Sequence, residues 1–186
     1  MNIEQLIEGL EVSFMLSPAR VTVLKNFGKA PFIEDIVLSR GIEIEIPRWL
    51  ALILEKWGVV ELSPNERPRL DTVARAKILE RDMERRGLRT LAKLHPYFYI
   101  MIRLMVRELE SRAKRELNIS VLKEIDAIRS SLYDVLKLRL GKIIDAALMG
   151  TVSTELLDNM TFEEKVLFTK LSSVIKSWHR VLGVEE

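Results

Sequence analysis

Residues 41–62, GIEIEIPRWLALILEKWGVVEL, decide the fold of this chain. Ile42, Ile44 and Ile46 alternate with Glu43 and Glu45, the two-residue period of a strand with one face buried. Pro47 follows with φ fixed near the helical value, suited to a first helical position where its missing N–H costs nothing. Trp49, Leu50, Ile53, Leu54 and Trp57 then fall on one face at helical spacing. This predicts an inward face of Trp49, Leu50, Ile53 and Trp57, and an outward face of Arg48, Glu55 and Lys56 for partner contacts. Gly58 can take the left-handed conformation that ends a helix, and Val59, Val60 and Leu62 resume an extended apolar run. Nothing in the stretch is chemically reactive. Its task is packing, which turns the functional question towards assembly.

Around this stretch, 186 residues hold one large domain or two small ones. Hydrophobic content of 48% and charged content of 30% supply both a core and a solvated surface. The longest near-continuous apolar run, Tyr97 to Val106, is broken by Arg103 and is far too short to span a bilayer. The N-terminal MNIEQLIEGLE is acidic, without a basic leader or small-residue cleavage site, so the expected location is the cytoplasm. With no cysteine there is no disulfide, thiolate nucleophile or Cys metal cluster. The net charge of +2 hides an uneven distribution. Residues 63–124 carry 15 basic and 9 acidic side chains, residues 1–62 carry 6 and 9, and residues 125–186 carry 8 and 9. The middle third alone concentrates a positive field for an acidic partner or a phosphate backbone. Abundant Glu, Lys and Arg with a single Gln lean towards a thermophile.

The fold class expected is α+β, a small N-terminal β-rich domain followed by a larger all-α helical-bundle domain. Residues 1–62 form the small domain, 63–70 a linker with two prolines and 71–186 the helical domain. In the small domain Ile3, Leu6, Ile7 and Leu10 have helical spacing. Val12 to Leu16 and Val21 to Phe27 look extended, with Ser17-Pro18 as the turn between them, and Phe32 to Leu38 reads equally as strand or short helix. Beyond the linker, Asp71 is a helix N-cap and Gly87 a stop. A second helix runs from about His95-Pro96 to Leu117, apolar on more than one face. Ser120 opens a third, whose stripe of Val121, Ile125, Ile128, Leu132, Leu136, Leu140, Ile143 and Ala147 predicts about 45 Å of helix, closed by Gly150. Thr161 to Glu164 form a capping-box signature for a last helix with Leu167, Leu171, Val174, Trp178 and Val181 inward and residues beyond Val181 fraying.

Chemistry is scarce. His95 and His179 lie far apart, without a second ligand at metal spacing, and no phosphate loop, dinucleotide fingerprint or serine elbow occurs. The sequence names no catalytic residue, cofactor or metal site. The carboxylates are expected on helix surfaces, paired with Lys and Arg. A nucleic-acid-binding helical module using the basic segment 67–93 is one alternative, with Arg85, Arg86, Arg89 and Lys93 facing phosphates. The other reading is a subunit whose apolar faces are shared with a partner, although those faces could also close one four-helix core.

The residues resemble the GINS subunits of the replicative helicase complex. Ile44 to Leu62 is similar to the acidic-apolar strand followed by P-x-W-L-A in the family's small domain, and Pro68 to Met83 stands where its first bundle helix begins. His95-Pro96-Tyr97-Phe98-Tyr99 is similar to its Pro-Tyr-aromatic helix start. Ile125 to Arg129 and Arg139-Leu140-Gly141-Lys142-Ile143 resemble its I-R and R-x-x-K-I elements, and Leu157-Asp158-Asn159-Met160-Thr161 its L-x-N-[LM]-T lead. The small domain comes first, which resembles the Psf-like type and its archaeal counterpart. The resemblance implies a non-catalytic scaffold at the replication fork, in a 2:2 heterotetramer with a second GINS subunit type. It further implies an MCM helicase and a RecJ-like or Cdc-type protein as partners, primase or DNA polymerase in some lineages, weak or indirect DNA contact and no membrane. Pro47, Trp49, Leu50 and Ala51 match the structural motif. The subunit interface is expected on Tyr97, Phe98, Met101, Leu104 and Met105 together with Ile128, Leu132 and Leu136.

Overall fold

The computed structural model describes residues 2–29 and 36–183. The chain divides into two compact units, Gly9–Pro68 on one hand and Arg69–Glu186 with Met1–Glu8 on the other. The architecture is α+β, with small antiparallel sheets in the N-terminal part and helices thereafter. The elements in order are α1 (Ile3–Leu16), β1 (Pro18–Val23), β2 (Gly28–Lys29), β3 (Val37–Leu38), β4 (Glu43–Pro47), α2 (Arg48–Lys56) and β5 (Val60–Leu62). A single 3-10 turn, Pro64–Glu66, then leads to α3 (Thr72–Arg85), α4 (Phe98–Glu116), α5 (Ile119–Met149), α6 (Thr154–Asn159) and α7 (Phe162–Val181).

In the first unit β1 is the central strand of a three-stranded sheet, flanked by β4 and β5. Ala19 pairs with Ile46, Val21 with both Ile44 and Leu62, and Val23 with Val60, so one face of the sheet is aliphatic. Against it α2 buries Leu50, Ala51 and Leu54. Pro47 (φ −52°) caps α2 at its start. At its end Gly58 (φ 64°) donates to Glu55 O at 2.8 Å and Val59 to Leu54 O at 2.9 Å, a paired closure that needs the left-handed glycine.

Two expectations fail in this unit. Val12 to Leu16 is helical and completes α1, which the Ser17 hydroxyl closes by donating to Phe14 O at 2.7 Å before Pro18 forbids another turn. The inward face of α2 includes Arg48, while Ile53 and Trp57 are exposed and Trp49 is half-buried. Arg48 is drawn in because its guanidinium lies 4.4 Å from the Phe14 ring centre and donates to Glu66 O at 3.1 Å and Glu66 Oε2 at 2.5 Å. Of the ambiguous Phe32 to Leu38, Val37–Leu38 forms β3, and residues 32–35 lie outside the described residues, as does any fraying at 184–186.

The helical unit is built round α5, which packs on α3, α4 and α7. Asp71 stands at the N-cap of α3, but its carboxylate is held by Arg75 Nε at 2.8 Å rather than by a backbone N–H. The cap of α5 is Asn118, accepting from Ser120 N at 2.9 Å, two residues before the Ser120 start expected. Val121, Ile125, Ile128, Ile143 and Ala147 are buried as the stripe predicts. Between them the buried row passes through Val135 and Arg139, leaving Leu136 and Leu140 exposed. On α7 the capping box of Thr161 and Glu164 forms, and Leu167 and Leu171 are half-buried. Val174, Trp178 and Val181 are exposed instead of core, because the cluster of Leu91, Ile143, Ala146, Leu156 and Met160 extends along α7 only as far as Phe168 and Leu171.

Arg139, 0% exposed, is the centre of this unit. A guanidinium has five N–H donors, and all five are met. Nε donates to Glu164 Oε1 at 2.6 Å, Nη2 to Glu164 Oε2 at 2.7 Å and to Asn159 O at 2.9 Å. Nη1 donates to Ala92 O at 2.8 Å and to Glu80 Oε1. Lys142 Nζ, one turn on, reaches Glu80 Oε2 at 3.0 Å and Thr90 O at 2.8 Å. Two cations thus face two carboxylates in a neutral cluster joining α3, residues 90–92, α5 and the start of α7. Burial works against the guanidinium's charge, and the hydrogen bonds and charge of Glu164 more than restore it. Tyr99 Oη donates to Glu164 Oε1 at 2.6 Å, and burial followed by the Glu164 charge pushes its phenol far above its usual range.

The starts of α4 and α7 also meet. Phe162 N donates to Pro96 O at 2.8 Å and Ile100 N to Glu163 Oε1 at 3.0 Å. Two positive helix ends are therefore brought together with Glu163 and Glu164 between them. Burial holds the Glu163 carboxyl above the usual range.

Arg139→Met is expected to lower folding stability by about 3–5 kcal/mol in denaturant titration, since Glu80 and Glu164 would remain buried without it. Glu163, with its raised folded value, binds a proton more readily folded than unfolded. Its contribution is therefore favourable at low pH and lost as pH rises through the raised value. Glu163→Gln should accordingly melt higher than the parent at neutral pH, with the gap narrowing as pH falls towards about 4.3; thermal unfolding across pH checks this.

Candidate assembly surfaces

Each residue expected at the subunit interface now has a place. Phe98, Met101 and Ile128 are buried within the helical unit itself; Phe98 and Ile128 belong to the cluster shared by α3, α4 and α5. Tyr97, Leu104, Met105 and Leu132 are half-buried, and Leu136 is exposed. Tyr97 stacks edge-on to Phe162 at 4.8 Å, which ties it to the junction of α4 and α7. In the small unit Leu50 and Ala51 are core, with Pro47 and Trp49 half-buried beside them.

The exposed apolar surface lies elsewhere. Tyr133, Leu136, Leu140, Ile144 and Leu148 are all exposed on α5. Their spacing of three or four residues makes one row on the helix, about 22 Å long at 1.5 Å per residue. A second apolar patch is the end of α7, where Val174, Trp178 (62% exposed), Val181 (81%) and Leu182 emerge from the bundle. Rows of this kind exceed the scattered single apolar residues of an ordinary monomer surface.

The basic residues are on the surface. Arg85, Arg86, Arg89 and Lys93 are all exposed, and Arg86 pairs with Asp82 at 2.7 Å. Arg89 lines a groove of about 970 Å³ between α3, α5 and residues 151–156. Glu84, Asp145 and Glu155 line it beside Arg81 and Lys137, so the groove concentrates neither sign of charge. His95 Nδ1 accepts from Tyr97 N at 3.1 Å, and His179 is exposed. Among the described residues no group of three His, Cys, Asp or Glu side chains is placed to hold a metal, and no helix is long and apolar enough to cross a membrane.

Sequence reasoning placed the carboxylates on helix surfaces, and Glu80, Glu163 and Glu164 overturn this by being buried. A signal was present in the R-x-x-K spacing of Arg139 and Lys142, which sets two cations on neighbouring parts of one face.

Residues 69–183 match the family model of the GINS complex protein helical bundle domain, Sld5. A search of curated proteins finds no match. The matched segment contains every member of the Arg139 cluster and both exposed apolar patches.

Trp178→Ala and Val181→Ser, together or singly, should change the stability of the isolated chain by no more than about 0.5 kcal/mol in denaturant titration. A loss of about 3 kcal/mol or more would mean that α7 buries this face.

Proposed function

The chain belongs to the GINS family, and on that basis we propose that it is a non-catalytic scaffold whose exposed helical rows are covered by sister subunits. As a GINS family member it is a structural subunit of that replication complex. The proposal extends this to a 2:2 heterotetramer with a second GINS subunit type of reversed domain order, the chain itself being of the Psf-like, archaeal kind. The assembled complex would bridge an MCM helicase and a RecJ-like or Cdc-type protein, with primase or polymerase as further contacts, and the small unit would carry one of these docking functions.

The observation that carries this reading is the row Tyr133, Leu136, Leu140, Ile144 and Leu148 on α5, left outside the buried clusters of its own unit. Obligate interfaces are rich in such apolar surface, with aromatic residues at their energetic centres. Tyr133 and Trp178 are the aromatic anchors in this case. The buried Phe98, Met101 and Ile128 belong to the interior of the unit itself. Arg85, Arg89 and Lys93 form no ion pair among the described residues, and we assign to them a weak DNA contact that declines with salt.

Co-expression with the second GINS subunit type is the test. The parent chain should elute as a complex by size exclusion with light scattering. A Leu136→Ser/Leu140→Ser/Ile144→Ser variant should stay folded and elute alone. A parent chain that remains a well-behaved monomer beside that subunit would sink the reading.

A further inference from the structure

We propose that the turn between α4 and α5 is a docking knob, in which Leu117, Ile119 and Leu122 enter an apolar pocket rimmed by carboxylates on a neighbouring GINS subunit. This rests on the subunit reading above and adds a contact distinct from the α5 row.

The first observation is backbone strain. Leu117 has φ 47° and ψ 39°, in the left-handed region, and is the one non-glycine residue with positive φ among the described residues. The other positive-φ positions, at residues 28, 41, 58, 87, 150 and 183, are all glycine. A side chain in that conformation crowds the following carbonyl, which is why glycine is the ordinary choice at a helix end. A leucine is kept at this position against that preference.

The second observation is exposure. Leu117 is 87% exposed, Ile119 70% and Leu122 50%. Leu117 therefore makes almost no contact within its own chain to offset its strain. Strain at such a site is a pointer to function when nothing within the fold compensates it.

The third observation is charge, which selects the partner's chemistry. Arg112 holds Glu116 at 3.1 Å, and Arg129 holds Glu110. Two carboxylates near the turn are neutralised within the chain. Lys114, Arg115 and Lys123 are exposed and form no ion pair among the described residues. Glu124, beside Lys123, is exposed and likewise outside any ion pair among the described residues. The unpaired cations therefore outnumber the unpaired carboxylate around the apolar knob, and a pocket with an acidic rim complements both features. Such rims act chiefly on encounter and partner choice, and the buried apolar tips on residence time.

The experiment compares the parent with Leu117→Gly/Ile119→Ser in the complex co-purified with the second GINS subunit type. Leu117→Gly alone removes the strain as well as the side chain, so the isolated variant should melt no lower than the parent. A clearly lower melting temperature would overturn the argument. Dissociation of the complex should be at least about tenfold faster in the double variant. Lys114→Glu/Arg115→Glu/Lys123→Glu should slow association and weaken its salt dependence. A parent complex that forms normally, with all these variants assembling equally well, overturns the knob and leaves the subunit reading standing. A parent chain that forms no complex overturns both. Binding of the parent to vesicles of anionic phospholipid, lost in Leu117→Gly/Ile119→Ser while assembly is unchanged, would make the knob a membrane contact and likewise overturns the proposal.

Discussion

A buried guanidinium must have every donor met, and in this protein that requirement organises the helical unit. The five acceptors of Arg139 come from α3, the segment after it, the residue before Met160 and the first turn of α7. None is a neighbour of Arg139 in sequence. A shift of α3 or α7 along α5 would strand a charge in an apolar interior, which costs several kcal/mol. The relative placement of these helices is therefore specified more sharply than aliphatic packing alone would specify it. A surface built on such a frame is preorganised, so little ordering remains to oppose association.

The junction of α4 and α7 solves a related electrostatic problem. Two helix starts with their unpaired N–H groups are brought close, which by itself is unfavourable. Glu163 supplies an acceptor to α4 from outside that helix, while Glu164 closes the capping box and also holds Arg139 and Tyr99. One carboxylate thus links the local rule of helix capping to the tertiary network.

Local signals were legible in the sequence. The alternation in β4, the stop at Gly58 and the capping box at Thr161 depend on neighbouring residues, and each forms as read. Pro47 opens α2 from the N-cap, one residue before the first helical position expected of it. Choices of face were less legible, because they depend on distant partners. Arg48 turns inward for Phe14 and Glu66, and Trp57 faces outward in consequence. Leu136 and Leu140 lost the core of α5 to Arg139 for the same reason: hydrophobicity ranks leucine above arginine until five acceptors are supplied from elsewhere. The family motif R-x-x-K-I was visible as a pattern, but the role of Arg139 and Lys142 could not be read without Glu80 and Glu164 beside them. The outer row of α5 is not separable from the core row by sequence, since a stripe of leucines looks the same whether its own chain or another covers it.

The order in which these groups are synthesised has a consequence of its own. Glu80, Ala92 and Arg139 leave the ribosome before Asn159 and Glu164 do, and domains generally begin to fold as they emerge. Until the last helix appears, the guanidinium has only Glu80 and Ala92 as acceptors, and Tyr99 lacks its carboxylate. The nascent helical unit can gather α3, α4 and α5 but cannot lock them. Closure thus waits on the C-terminal helix, and a chain ending short of it would leave donors of Arg139 unmet at its centre.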